Sequence, residues 1–348
     1  MKYKHLIFAL LLIMATYAIS ATIHDNPTAY WWTGNVDDTA LNWARNVDNM
    51  VMGGKGTGKM FYVDSGVANE GNGTSWTSAR DTLDEAVGLC TASRGDFIFV
   101  AQGHNEALTA ADGVDCDIAG ITIIGVGNGT LMPTFDYDLA AGEFVIGAAN
   151  VTIQNLRFRA GTSTITKAID VEAAGDDFKI IGCEFGWAEA ATDEFSSAII
   201  VADTANYGLI EGCTMRAGGQ AAVQAIHLDA DILGITIKNN TIWGDYSVAC
   251  IKGDEASDDI IIIDNIMVNG TMGGDGELND QPTIELADST AGFIAGNRMA
   301  ADVATNHLAM TVADDVVFIE NFTSDDDGDE FEGSQRSGTA SVTASADG

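Results

Sequence analysis

His227, Asp229, Lys252 and Asp254 are the side chains of this 348-residue chain best suited by type to proton transfer. An imidazole and two carboxylates beside an ammonium are groups that glycoside hydrolysis uses. There, one carboxylic acid protonates the leaving oxygen while another carboxylate attacks or activates water. Asp203, Asp229 and Asp254 also form an all-oxygen donor set, and Ca2+ is the cation such a set takes; no other cofactor is expected. Asp170, Glu172 and Glu285 add acids at related positions and are candidate ligand-binding residues. Trp31, Trp32 and Trp43, three of the six tryptophans, gather within residues 22–58. Their rings offer contact area to a glycan or protein partner, or equally a strap packed over the fold. Other chemistries are excluded by pattern. The five cysteines, Cys90, Cys116, Cys183, Cys213 and Cys250, include no CxxC pair and no zinc-site spacing, and their odd number leaves at least one thiol unpaired. Gly53, Gly54, Gly56 and Gly58 precede Lys59 and Met60, which fail to complete a phosphate loop.

What brings the four leading residues together is a repeat. Segments of the form apolar-x-apolar-x-[Asn/Gly]-[Asn/Cys]-x-apolar recur with markers at Leu156, Cys183, Cys213, Asn240, Asn265, Asn297 and Asn321, at intervals of 27, 30, 27, 25, 32 and 24 residues. Residues 97–102 and 121–126 extend the series backwards, giving nine candidate coils. A second alternation lies 10 or 11 residues before most markers, at 168–171, 198–201, 225–228, 249–251, 283–286 and 308–310. Period-2 patterns four or five residues long read as strands with one buried face. Two or three such strands per turn of about 27 residues, with Gly and Asn corners, describe a solenoid whose coils bury their apolar faces only by stacking. Helical repeats are excluded by β-branched residues, Gly and the lack of a 3.6-residue stripe.

Asn at the same corner of successive coils is expected to form amide ladders. Cys183 and Cys213 share that column, as two buried small residues or a disulfide; Cys90 with Cys116 is a similar option. Aligning the second strand set places Asp170, Ile200, His227, Cys250 and Glu285 in one outward column and Glu172, Ala202, Asp229 and Lys252 in the next, with Asp203 and Asp254 in the turns that follow. His227, Asp229, Lys252 and Asp254 then cluster on adjacent coils.

The opening of the repeat region carries more specific motifs: Phe61-Tyr62-Val63-Asp64-Ser65-Gly66, Gly71-Asn72-Gly73-Thr74-Ser75-Trp76, Thr82-Leu83-Asp84-Glu85-Ala86-Val87 and Gly95-Asp96-Phe97-Ile98-Phe99-Val100. Together with the repeat, they make residues 61–323 resemble a secreted right-handed parallel β-helix of the pectate-lyase-like superfamily. The resemblance implies an all-β solenoid of about nine coils, an amphipathic helix capping the open end of its core, and chemistry on the outer face of one strand column. It does not select a function, because the architecture hosts lyases, hydrolases, epimerases and adhesins. The motifs of calcium-dependent lyases and polygalacturonases are absent, and no Arg falls in the two columns. Asp176-Asp177, Asp258-Asp259 and Asp314-Asp315 read as turn residues before core strands.

The remaining chain is organised around this rod. Residues 1–21, with Lys2 and Lys4 before an apolar run, read as a signal peptide; 22–58 form an aromatic and Gly-rich extension, 59–323 the solenoid, and 324–348 an acidic, then Ser/Thr/Ala/Gly-rich flexible tail. Net charge is −35, and without Lys2 and Lys4 the exported chain has 14 basic against 51 acidic residues, or −37. Mean hydropathy is +0.10 and 46% of residues are hydrophobic, so this is not a disordered acidic chain. The charge excludes nucleic acid as a partner, and no integral membrane segment is expected after leader cleavage. The reading that follows is a non-catalytic exported or particle-surface β-helix presenting a rigid acidic face to a glycan, cell surface or protein. Two alternatives stand beside it. One is a secreted polysaccharide-degrading enzyme, a glycoside hydrolase rather than a polyuronate lyase. The other is a structural component of a trimeric spike or surface assembly, with homotrimeric or end-to-end association.

Overall fold

The computed structural model describes residues 58–111, 113–162, 165–186, 193–218, 222–270, 281–287, 290–301, 315–324 and 330–333. The expected leader, Trp31, Trp32, Trp43 and most of the tail lie outside these residues.

Among the described residues the chain winds into a right-handed parallel β-solenoid with three stacked sheets, of ten, seven and ten strands; the expected strand at 308–310 lies outside them. Each complete turn passes from the first sheet through the marker corner, Cys or Asn from Cys183 onward, into the second ten-stranded sheet, then into the seven-stranded sheet. Seven turns contribute a strand to all three. The first sheet also holds Met60–Val63, one strand ahead of the nine marker segments, paired in parallel with Phe97–Val100.

Inward residues stack in register from turn to turn. In the first sheet one unbroken column runs Phe61, Ile98, Ile123, Ile153, Ile180, Ile210, Ile237, Ile262, Ile294 and Phe318, all buried. In the second ten-stranded sheet Phe135, Phe158 and Phe185 stack with ring centroids 5.9 and 5.0 Å apart, followed by Met215, Ile242 and Met267. A coil has no second layer of its own, so these columns are its hydrophobic core.

The corners explain the repeat's polar signature. In seven turns the residue before the marker adopts left-handed backbone: Asn155, Gly182, Gly212, Asn239, Asp264, Gly296 and Glu320. Gly and Asn tolerate that conformation best. The markers that follow are buried, and Asn240, Asn265, Asn297 and Asn321 form the expected ladder. Asn240 Nδ2 donates to Asn265 Oδ1 at 3.0 Å, Asn265 Nδ2 to Asn297 Oδ1 at 3.0 Å, and Asn297 Nδ2 to Asn321 Oδ1 at 2.9 Å. Each Oδ1 also accepts the backbone N–H of the preceding rung, including Cys213 N–H from Asn240 at 2.9 Å. Asp177 and Asp259 take left-handed backbone at the corner leading into the first sheet, which makes them the turn residues their placement predicts.

All five cysteines are buried free thiols. Burial pushes the Cys90 thiol up to about 12, with Asp96 adding to it, and it raises Cys116, Cys213 and Cys250 as well. At the N-terminal end, helix Leu83–Val87 turns Leu83, Ala86 and Val87 inward and packs on strands Met60–Val63, Phe97–Val100 and Val114–Asp115. Its first N–H, on Leu83, donates to Glu106 Oε2 at 2.9 Å. Buried His104 reaches the same oxygen at 3.0 Å through Nε2, and its Nδ1 accepts the Ser65 N–H at 2.9 Å. At the other end, Glu330–Gly333 pairs antiparallel with Asn321–Ser324.

Candidate functional site

The seven-stranded sheet presents the candidate residues on its outer face. Its register aligns Asp115, Val145, Asp170, Ile200, His227, Lys252 and Glu285 on successive turns. Two residues further on, the ladder continues through Glu172, Ala202, Asp229 and Asp254. The N–H groups of Ala202, Asp229 and Asp254 bond to the carbonyls of Val171, Val201 and Leu228 at 2.8, 2.9 and 3.1 Å.

This corrects the sequence alignment in one turn. Strand Ala249–Gly253 pairs Ile251 with Ile226 and Lys252 with His227, two residues away from the expected match. Cys250 instead takes the position of Ala225, and both are buried, as are Ala168 and Ala198 in the turns before. Lys252 lies beside His227 rather than beside Asp229, and Asp254 takes the place next to Asp229. The alternation alone cannot reveal a slip of two, since it preserves which face each residue takes.

The slip brings the four leading residues closer together. His227 Nε2 lies 2.7 Å from Asp254 Oδ2, and Lys252 Nζ lies 3.5 Å from Asp254 Oδ1 and 2.8 Å from Glu285 Oε1. Ligand atoms of His227, Asp229 and Asp254 all fall within 4.8 Å of one another. The His227 and Lys252 side chains are 16% and 18% exposed and that of Asp254 46%, so two sheltered cationic or donor groups hold a carboxylate that faces solvent. With Asp254 ionised, the imidazole N–H is the donor.

Asp170, Glu172 and Glu285 share this face. Glu285 joins the group through Lys252, whereas Asp170 and Glu172 stand two turns away, beyond Ile200 and Ala202. There they form a second cluster with Lys167, which donates to Asp170 and lies 3.7 Å from Glu143. Partial burial opposes the Lys167 ammonium, but Asp170, Glu143 and Glu172 outweigh it and raise its pKa above the ordinary lysine value. Sequence reasoning missed Asp115, Glu143 and Lys167; the register of the two-residue strand Val114–Asp115 is the signal that locates the first of these. Gly147 leaves a bare notch in this cluster: a Cβ there would lie 3.1 Å from Asp115 Oδ1 and 3.4 Å from Glu172 Oε2.

The donor set suits Ca2+ poorly. Ca2+ takes six to eight oxygens, whereas the third donor beside Asp229 and Asp254 is an imidazole nitrogen, and the Lys252 ammonium already adjoins Asp254. Asp203 is exposed in the turn after strand Phe195–Val201 and is not part of the group. A second acidic group, Glu70, Asp81 and Glu85, is already crossed by the Arg80 guanidinium, which pairs with Glu70 and lies 3.8 Å from Glu85. Among the described residues no helix is long and apolar enough to cross a membrane.

No protein-family model matches this chain, and no curated protein sequence matches it. Among solved structures it is similar to a rhamnogalacturonan lyase, with TM-score 0.45 and 12% identity over 71% of this chain and 74% of that one. It is also similar to the tailspike protein of E. coli bacteriophage HK620 in complex with pentasaccharide, with TM-score 0.39 and 12% identity over 84% of this chain and 60% of that one. A third is the pectin methylesterase from Aspergillus niger, with TM-score 0.33 and 16% identity over 78% of this chain and 87% of that one. None of these likenesses assigns a ligand or a reaction to this chain.

Proposed function

We propose that this protein is an exported polysaccharide-degrading enzyme of the glycoside hydrolase type, working on the outer face of the seven-stranded sheet. The observation that carries this reading is the convergence of His227, Asp229 and Asp254 within 4.8 Å on neighbouring turns. A carboxylate pair this close belongs to the short-spaced geometry, about 5 Å between carboxyl groups, in which one carboxylate attacks the anomeric carbon and the other serves as acid and then base. Asp254 is the nucleophile in this scheme. Its two oxygens are fixed by His227 and Lys252, and Glu285 holds Lys252 from the far side. Asp229, free of any such clamp in its role, protonates the leaving oxygen and later activates water.

The substrate is a neutral polymer. The face carries Asp115, Glu143, Asp170, Glu172, Asp229, Asp254 and Glu285, with Lys167 and Lys252 already paired to carboxylates, so a polyuronate would be repelled. No step requires a cation.

The test is release of reducing ends from neutral and acidic polysaccharides, each with Ca2+ and with EDTA. Hydrolysis of a neutral polymer in both conditions, lost at least 100-fold in D254N and D229N with the fold intact, is the expected result. Retained binding with no release by the wild type would sink the catalytic assignment and return the rod to a glycan-presenting or glycan-binding surface.

A further inference from the structure

One rung interrupts the charged pattern on the outer face of the seven-stranded sheet. The ladder there carries Asp170 and Glu172, then Ile200 and Ala202, then His227 and Asp229, then Lys252 and Asp254. Ile200 and Ala202 are partly exposed and stand one rung, about 4.8 Å, from His227 and Asp229.

The same turn of chain then displays Tyr207, 56% exposed, at the corner leading into the first sheet. Successive rungs place Gly95, Gly120, Asn150, Asp177, Tyr207, Gly234 and Asp259 at this corner, all with left-handed backbone. Rung-to-rung bonds hold the conformation: the Asp177, Tyr207 and Gly234 N–H groups donate to the carbonyls of Asn206, Leu233 and Asp258 at 2.8, 2.8 and 2.9 Å. Gly, Asn and Asp tolerate it, whereas a bulky side chain is strained there, and strain of this kind clusters at functional sites. The next rung leaves room for the ring. A Cβ on Gly234 would stand 2.7 Å from Tyr207 Cδ1 and 3.1 Å from Cε1, so the phenol lies against bare backbone.

Ile200, Ala202 and Tyr207 together suit a neutral sugar chain. Pyranose rings present C–H faces, which aliphatic and aromatic side chains take, and hydroxyl rims, which polar groups take. Asp203 and Thr204, exposed between Ala202 and Tyr207, are such groups. Ala202 and Tyr207 are separated by at most about 17 Å of chain, the span of a few sugar units. Asp170, Glu172 and Asp229 on the flanking rungs repel an acidic ligand.

We propose that this rung is the sugar-binding stripe of the proposed hydrolytic site. Ile200 and Ala202 take the apolar face of the unit beside Asp229, and Tyr207 stacks on a more distant unit of the same neutral chain. The proposal rests on the hydrolytic reading and adds the residues that select its substrate.

Calorimetry on D254N, with cellohexaose, mannohexaose and xylohexaose as neutral probes and hexagalacturonate as the acidic control, tests this. A neutral hexasaccharide should bind and hexagalacturonate should not. Adding I200D or Y207N should each weaken that binding by about tenfold or more. Y207N installs the residue that Asn150 already supplies at the same corner, so its thermal midpoint should equal or exceed the parent's. That readout separates a sugar contact from a structural role, and Y207N stands if I200D fails to fold. Unchanged affinity in Y207N overturns the proposal, as does a midpoint that falls together with affinity, or binding of none of the neutral probes. Affinity lost in both variants while the wild type releases no reducing ends removes the hydrolytic reading and leaves the sugar stripe. Hydrolysis of a neutral polymer with KM unchanged in I200D and Y207N overturns the stripe and leaves the hydrolytic reading.

Discussion

The asparagine ladder predicts a large and localised loss of stability on truncating Asn265. Its Oδ1 accepts the Asn240 N–H at 2.9 Å and Asn240 Nδ2 at 3.0 Å, while its Nδ2 donates to Asn297 Oδ1 and to the Ile237 carbonyl, both at 3.0 Å. In N265A the Asn240 N–H loses its ladder acceptor inside a fully covered corner, at about 1–3 kcal/mol for an unsatisfied buried donor. Asn240 Nδ2 keeps the Ile210 carbonyl at 3.0 Å and Asn297 Oδ1 keeps the Asn265 N–H at 3.0 Å, so the other lost bonds cost about 0.5–1 kcal/mol each. The sum is about 2.5–6 kcal/mol. Urea denaturation followed by far-UV circular dichroism should show the midpoint falling by roughly 1 M. Native-state exchange of the Asn240 amide should accelerate far more than that of amides several rungs away. N265A/N297A should be less destabilised than the two singles added, by about 1 kcal/mol, because the Asn265–Asn297 bond is lost only once. A loss below about 1 kcal/mol in N265A, or strict additivity in the double variant, would refute the ladder as a structural element.

Three further outcomes follow from the same structure. At the Asp96 corner, burial raises the carboxyl pKa, but the Arg94 guanidinium and the Lys59 and Thr91 N–H groups outweigh it and hold the value below the ordinary aspartate range. A depressed folded value contributes stability above the unfolded pKa of about 3.9, and this is lost as pH falls through the folded value. D96N should therefore cost about 2–4 kcal/mol at pH 7, with the gap to wild type closing below about pH 4 in denaturation series at several pH values. The buried thiols should not react with Ellman's reagent in the native state at pH 8, and all five should react after unfolding in guanidinium without reductant; fewer than five would reveal a disulfide. In the Asp115–Glu172 notch, Gly147→Val should leave the solenoid's circular dichroism intact and lower affinity for neutral oligosaccharides several-fold by calorimetry, because its side chain fills the space between the two carboxylates. Unchanged affinity would remove this cluster from the proposed substrate track.

The sequence made the solenoid legible because stacking imposes one pattern again and again. Ile153, Ile180, Ile210, Ile237 and Ile262 occupy one column since each turn must fill the same slice of core. The residue before each corner is Asn, Asp, Gly or Glu because the backbone there is left-handed. The outer face has no such constraint. Only register decides which outward side chains meet, and register in the seven-stranded sheet depends on corner lengths that vary between turns. Cys250 and Lys252 show the consequence. Both fit an outward alternation counted from Ala249, yet the ladder bonds place Lys252 beside His227 and Cys250 beside Ala225, in a column that is buried. That these side chains share one outer face was thus readable, and which of them are neighbours was not. The adjacency matters most for mechanism, since the two-residue shift turns Asp254 from a turn acid into a carboxylate clamped at both oxygens by His227 and Lys252. In the proposed hydrolysis, a surface histidine and a surface lysine, each unremarkable alone, position the nucleophile only through the rung that sets them on either side of that carboxylate.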